Sequence, residues 1–325
     1  HVYSMKAFND LVGFVAGWAV MLDYTVDIAL FALASAGYLS FFLPWLKTSF
    51  FILFFLGTGF RISYIGFAAF LLVTALLLLN SVGIRESSAF NELLVSLDLV
   101  VESVILITGI LVAFGLMLFL SQITDFGASS VFHNIVYVMP NLGTQAQNFI
   151  YGITLAMTSF IGIESIAQAA EETKRPQRWI PRANKLSIIA VVLFAVGLST
   201  LSMALMPWPD LAASQADPMA AIASRIPYLG HFLAPVVAVT GFTICYVSTN
   251  TGVIGASRVV FSMGRFSLMP AWFYKVHRRF RTPIRTIAVF GLIGAALALL
   301  GELHLVADLY NFGALLSYVI VNISL

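Results

Sequence analysis

Apolar residues run along this chain in long unbroken stretches, and polar residues are confined to short clusters between them. Eight stretches approach or exceed the length of about 20 apolar residues that a helix needs to cross a bilayer. They lie at 11–41, 63–82, 93–120, 148–170, 186–206, 232–256, 284–301 and 306–325. The runs are continuous rather than alternating, which excludes a β-barrel. One stretch fits poorly. In 44–60 the apolar core, Phe50 to Leu56, is too short to span, and Lys47, Gly57-Thr58-Gly59 and Arg61 border it. It reads as an interfacial or re-entrant element. The pattern therefore predicts an all-α polytopic membrane protein, with residues 1–325 forming a single transmembrane domain.

Composition agrees: 60% of the 325 residues are hydrophobic and 10% are charged, against about 25% charged in a soluble domain. The placement of charge then orients the helices. With eight spans, Lys47, Arg61 and Arg225 fall on one side, and the remaining 14 of the 17 Lys and Arg fall on the other. By the positive-inside bias, the basic loops 81–92, 171–185 and 258–285 face the cytoplasm of a multi-pass plasma-membrane protein. The loops 121–148 and 207–231, poor in Lys and Arg, face outward. The basic loops lie beside the membrane, where they orient the chain and can touch anionic lipid, so the bilayer is a partner and nucleic acid is not. The single Cys245 rules out an intrachain disulfide. The five histidines do not cluster, and the sequence has no HExxH, P-loop or GxSxG motif, so no metal or cofactor is expected. Both ends read as cuts through a longer chain.

The stretch 150–182 carries the candidate chemistry. It opens as an apolar helix, is interrupted at Ser159-Phe160-Ile161-Gly162, resumes with Glu164 and runs into cations. Irregular backbone at membrane depth is tolerated only where it is buried in protein or lines a cavity, and an acid there is costly and usually functional. Five further acids, Asp23, Asp27, Asp98, Glu102 and Asp308, lie in or at the edge of spans, with no Lys, Arg or His deep in any span. Asp23/Asp27 and Asp98/Glu102 are each four residues apart, so each pair shares a helix face. They read either as a proton or cation relay on a polar cavity or as acids satisfied by nearby backbone. Asp98 and Glu164 favour the first, Asp23 and Asp308 the second. Ser248 and Thr249, in a run of hydroxyls, suit either a sodium ion or helix–helix hydrogen bonds. The small residues of the 291–296 face read as packing.

Four passages together resemble the amino acid–polyamine–organocation superfamily of permeases. They are KAFNDLVGFVAGWAVMLDY at 6–24, NSVGIRESSAFN at 80–91, SFIGIESIAQAAEETKRPQRWIPRA at 159–183, and STNTGVIGASRVVFSMGRFSLMPAWFYKVHRRFRTPIRTI at 248–287. The resemblance places the chain as helices three to ten of a twelve-helix protein, truncated at both ends, with a leucine-transporter-type inverted-repeat fold. In that fold, substrate sits where helices are unwound at mid-membrane. The family's Phe-x-Gly-x-Glu break is present as Phe160-Ile161-Gly162-Ile163-Glu164. The resemblance implies that Phe160 gates the substrate, that Ser159, Ile161, Gly162 and Ile163 contact it, and that Glu164 carries a coupling proton. Some proton-coupled members carry a lysine seven residues after an Asn that opens helix five. Here that count from Asn91 lands on Asp98, so Asp98 with Ser248 and Thr249, and Glu102 beside it, become candidates for a cation or proton site.

The resemblance thus implies a secondary active amino-acid permease working by alternating access, coupled to a proton or another cation. Its small-molecule substrate is an amino acid, its coupling ion is H⁺ or Na⁺, and no cofactor is needed. The apolar Phe160, Ile161 and Ile163 around the break and the absence of a deep cation lean towards a neutral or cationic amino acid. Two other functions fit the same residues: an amino-acid exchanger, or a transporter-fold sensor that binds without moving its ligand. An intramembrane enzyme using the paired acids is disfavoured, because two catalytic acids normally come from different helices around a cleft.

Overall fold

The computed structural model describes residues 2–48, 50–55, 58–82, 88–113, 142–163, 166, 173–277, 280 and 282–324. The chain divides into two compact units, one formed by His1–Val95 with Gly241–Leu325, the other by Ser96–Thr240.

In the first unit, a short helix α1 (Val2–Ala7) precedes α2 (Asp10–Leu39). Asn9 starts α2 as its N-cap, its side-chain oxygen accepting from the Val12 N–H at 2.9 Å. Next come α3 (Trp45–Thr48), a two-stranded ribbon of β1 (Phe50–Phe55) and β2 (Thr58–Ser63), and α4 (Tyr64–Val82). Helix α5 (Ser88–Ala113) begins in this unit and continues in the second. The ribbon is antiparallel, pairing Phe50 with Ser63 through to Phe55 with Thr58. It is the one departure from an all-helical chain among the described residues. The expected interfacial or re-entrant stretch pairs with itself, because Phe and Ile suit a pleated strand better than a half-length helix.

The second unit holds the rest of α5, then α6 (Leu142–Met157), α7 (Pro176–Leu205), and the short helices α8 (Trp208–Ala213) and α9 (Pro218–Ser224). Helix α10 (Gly230–Arg265) begins there and ends in the first unit, which closes with α11 (Ile284–Leu299) and α12 (Leu303–Ser324).

Each of the eight expected spans overlaps a described helix, though α6 ends at Met157 within 148–170 and residues 114–120, 164, 165 and 167–170 lie outside the described residues. Among the described residues, six helices are long and apolar enough to cross a membrane, and Ile284–Leu299 is a shorter apolar one. The protein is thus an all-α, multi-pass membrane protein. Two boundaries differ from expectation. Residues 176–185, expected as loop, form the first turns of α7, because Pro176 at the first helical position has the backbone angle a helix start needs. The stretch 207–231, expected as loop, contains α8 and α9, each likewise opened by a proline in its first turn.

Helix α2 is the axis of the first unit and packs against α4, α11 and α12. Ala16, Ala19, Ala29, Ala32 and Ala36 are all buried along it. In a membrane, apolar burial alone does not drive helices together, so such small residues let backbones approach closely enough for dispersion to hold them. Helix α10 joins the same core, where the Ser35 hydroxyl donates to the Phe242 carbonyl at 3.0 Å. In the second unit α5 and α7 interlock reciprocally, Gly109 facing Leu201 and Gly197 facing Leu106.

Candidate functional site

The interruption in 150–182 is present in the backbone. Helix α6 ends at Met157, and Thr158–Phe160 tighten into a single 3₁₀ turn, with the Ile161 N–H bonded to the Thr158 carbonyl at 3.1 Å. Ile161 is then extended (φ −68°, ψ 139°), and Gly162 takes φ +99°. That angle suits glycine, since a Cβ there would strain the backbone. Residues 159–163 have therefore left the regular helical ladder, with the Ile163 N–H reaching back to the Phe160 carbonyl at 3.5 Å.

A cavity of about 530 Å³ opens beside this turn within the second unit. Ser159 lines it from the turn, Glu102 and Leu99 from α5, and Phe194, Ser199 and Ser202 are among the residues that line it from α7. Leu99, Glu102, Leu106 and Gly109 recur at the spacing of one helix face. Leu106 and Gly109 are packed onto α7, and a turn or two earlier the two helices part and leave the cavity. Glu102 is the acid on that face, set among apolar walls and hydroxyls.

The structure thus brings Ser159 and Glu102 to one cavity. Phe160, Ile161, Gly162 and Ile163 form the break itself, and Asp98 lies one turn before Glu102 on α5. Glu164 lies outside the described residues. Ser248 and Thr249 belong to the first unit and Asp98 to the second. Thr249 is fully buried, and its hydroxyl donates to the Cys245 carbonyl one turn back at 2.9 Å.

The remaining acids have separate surroundings. Asp23 and Asp27 are 3% and 7% exposed on α2. A methyl added at Gly252 of α10 would lie 2.6 Å from Asp27 Oδ2, so the carboxylate is seated directly against that helix. Asp308 stands 3.3 Å from His304 Nδ1, one turn away on α12.

The match to known proteins covers the same ground. The profile of the amino acid permease family matches residues 1–325. The chain belongs to the amino acid permease family. Among its relatives, it is 24% identical over 332 residues to the branched-chain amino acid permease BcaP of Bacillus subtilis, covering 100% of this chain and 65% of the relative. It is 27% identical over 327 residues to the low-affinity putrescine importer PlaP of Escherichia coli, again 100% and 65%. To the cationic amino acid transporter 4 of Mus musculus it is 25% identical over 334 residues, 100% of this chain and 48% of that one. The chain therefore spans about two thirds or less of the length of these relatives. The family and these relatives are transporters, not enzymes.

One polar contact had only a partial signal in the sequence. Asn80 Nδ2 donates to Asn250 Oδ1 at 2.6 Å and ties α4 to α10. Asn250 sits in the hydroxyl-rich run of α10, and its bond to a facing helix supports the helix–helix role of that run. The apolar wall of the cavity carried no signal: Phe194 and its neighbours on α7 read as an ordinary membrane stripe.

Proposed function

We propose that this chain carries the core of a secondary active amino-acid permease working by alternating access, with the break at 159–163 as half of its substrate site. The observation that carries this is the interrupted helix itself, within a chain matched end to end by the amino acid permease family. Peptide groups turned out of a helix at membrane depth offer dipoles to the charged ends of a zwitterion, and half-helix ends add their own partial charges. Phe160 closes over the substrate, and Ser159, Ile161, Gly162 and Ile163 supply its contacts. The apolar side chains around the break favour a neutral or cationic amino acid. The names of the relatives, a branched-chain amino acid permease, a putrescine importer and a cationic amino acid transporter, fit that range.

Coupling is assigned to a proton or sodium ion. Glu164 and Glu102 are the carboxyls nearest the break in sequence and across the cavity, and Asp98 follows on α5. Ser248 and Thr249 are the hydroxyls of a cation site on α10. The basic segments 81–92, 171–185 and 258–285 are placed on the cytoplasmic side of the plasma membrane.

Ligand-induced thermal stabilisation of the full-length protein tests the site. Neutral or cationic amino acids are expected to raise the melting temperature of the parent and to do so far less with Phe160→Ala. Equal stabilisation of both proteins would remove Phe160 from the site. No stabilisation by any amino acid or diamine would reject the substrate class.

A further inference from the structure

The start of α7 gathers five exposed cations: Lys174 and Arg175 just before it, and Arg178, Arg182 and Lys185 in its first turns. Arg178 and Arg182 are one turn apart, and Trp179 stands with them. Their guanidinium carbons lie 5.6 and 5.7 Å from the centroid of its ring. At that range the ring attracts both guanidiniums and holds the two forks about one indole. Among the described residues, no carboxylate pairs with either one.

The rest of the helix says what they face. Trp179, Arg182, Leu186, Ile189, Leu193 and Val196 recur at alternating steps of three and four and so share one face of α7. All six are exposed. From Arg182 to Val196 that face runs about 21 Å at 1.5 Å per residue. It is apolar along its length and ends in an indole and cations, which is the order of hydrocarbon and headgroup in one leaflet.

We propose that Arg178, Trp179 and Arg182 form a docking site for the headgroup phosphate of an anionic phospholipid, whose acyl chains lie along the apolar face at 186–196. Two planar forks presented together match the oxygens of a phosphate, which a single ammonium does not. Lys174, Arg175 and Lys185 surround the forks with positive charge, so a net negative headgroup is favoured over a zwitterionic one that brings its own cation.

Native mass spectrometry of the full-length protein, equilibrated with mixtures of phosphatidylglycerol and phosphatidylcholine, tests this site. The parent is expected to retain phosphatidylglycerol preferentially. R178K/R182K keeps the charge and the membrane topology but removes the forks, and should retain clearly less. R178Q/R182Q should lose about fivefold for each guanidinium removed. R265Q/K275Q removes the same charge elsewhere and should match the parent. Equal losses in R178Q/R182Q and R265Q/K275Q would mean that net charge alone acts and would overturn the site. So would full retention by R178K/R182K, or no preference in the parent. Protection of Trp179 by inorganic phosphate without phosphatidylglycerol retention would assign the patch to a free anion and overturn the lipid.

Discussion

Replacing Gly162 by alanine isolates the energetic role of the helix break. A methyl at Gly162 meets no heavy atom within 4 Å among the described residues, so the substitution creates no clash. The same is true at Gly152, ten residues earlier in regular α6. The two positions differ in backbone: Gly162 has φ +99°, where a residue with a Cβ costs about 1–3 kcal/mol. In the helix, Gly→Ala is worth about 0.5–1 kcal/mol in the stabilising direction. Gly152→Ala should therefore hold or raise stability, and Gly162→Ala should disfavour the broken conformation. If that conformation is the one that binds substrate, the apparent affinity falls in proportion to its lost population. A cost of 1–3 kcal/mol corresponds to roughly 5- to 150-fold. Titration of substrate into purified full-length parent, Gly152→Ala and Gly162→Ala, alongside their melting temperatures, reads both effects. Gly162→Ala binding as tightly as Gly152→Ala would refute the assignment of the break to the substrate site.

Glu164→Gln should flatten the pH profile of uptake more than it weakens substrate affinity; a profile that overlays the parent would make Glu164 structural. The Asn80–Asn250 pair should show a coupling of about 0.6 kcal/mol, the mean for hydrogen bonds between membrane helices, in a double-mutant cycle of Asn80→Ala and Asn250→Ala read by unfolding in mixed micelles. Additive losses would mean that the bond contributes nothing. Gly294→Ala should destabilise by about 1–3 kcal/mol through overpacking, because its methyl would sit 2.9 Å from Ile28 Cβ and 3.0 Å from the Thr25 carbonyl oxygen. Gly291→Ala should cost less, since it meets the flexible end of the Leu77 side chain, and equal melting temperatures would contradict that contrast.

What could be read from the sequence follows from the range of each interaction. The spans at 63–82 and 186–206 were legible because an apolar run of membrane length has one stable solution in lipid. The break at 159–162 was legible because glycine beside an acid is improbable in a plain membrane helix. The ribbon at 50–63 is not legible because the strand-forming Phe and Ile residues become a ribbon only through their pairing with β2, which no local signal names. The helical start of α7 is hard to read from the sequence because its cluster of cations resembles a loop, and Pro176 alone marks the helix start. The Asn80–Asn250 bond joins residues 170 apart in sequence, and nothing local to either names the other. Nor did anything connect Glu102 with Ser159: the cavity that joins them exists only because α5 and α7, interlocked at Leu106 and Gly197, part a turn or two before that contact.

The central claim is that the chain belongs to a protein that moves amino acids through a site built on the 159–163 break. The most direct test is uptake of labelled amino acids into proteoliposomes containing the full-length protein, driven by a proton or sodium gradient. Saturable accumulation above equilibrium, lost in Gly162→Ala, is the predicted result. Tight binding in detergent with no accumulation and no exchange in the proteoliposomes would contradict it and make the protein a sensor.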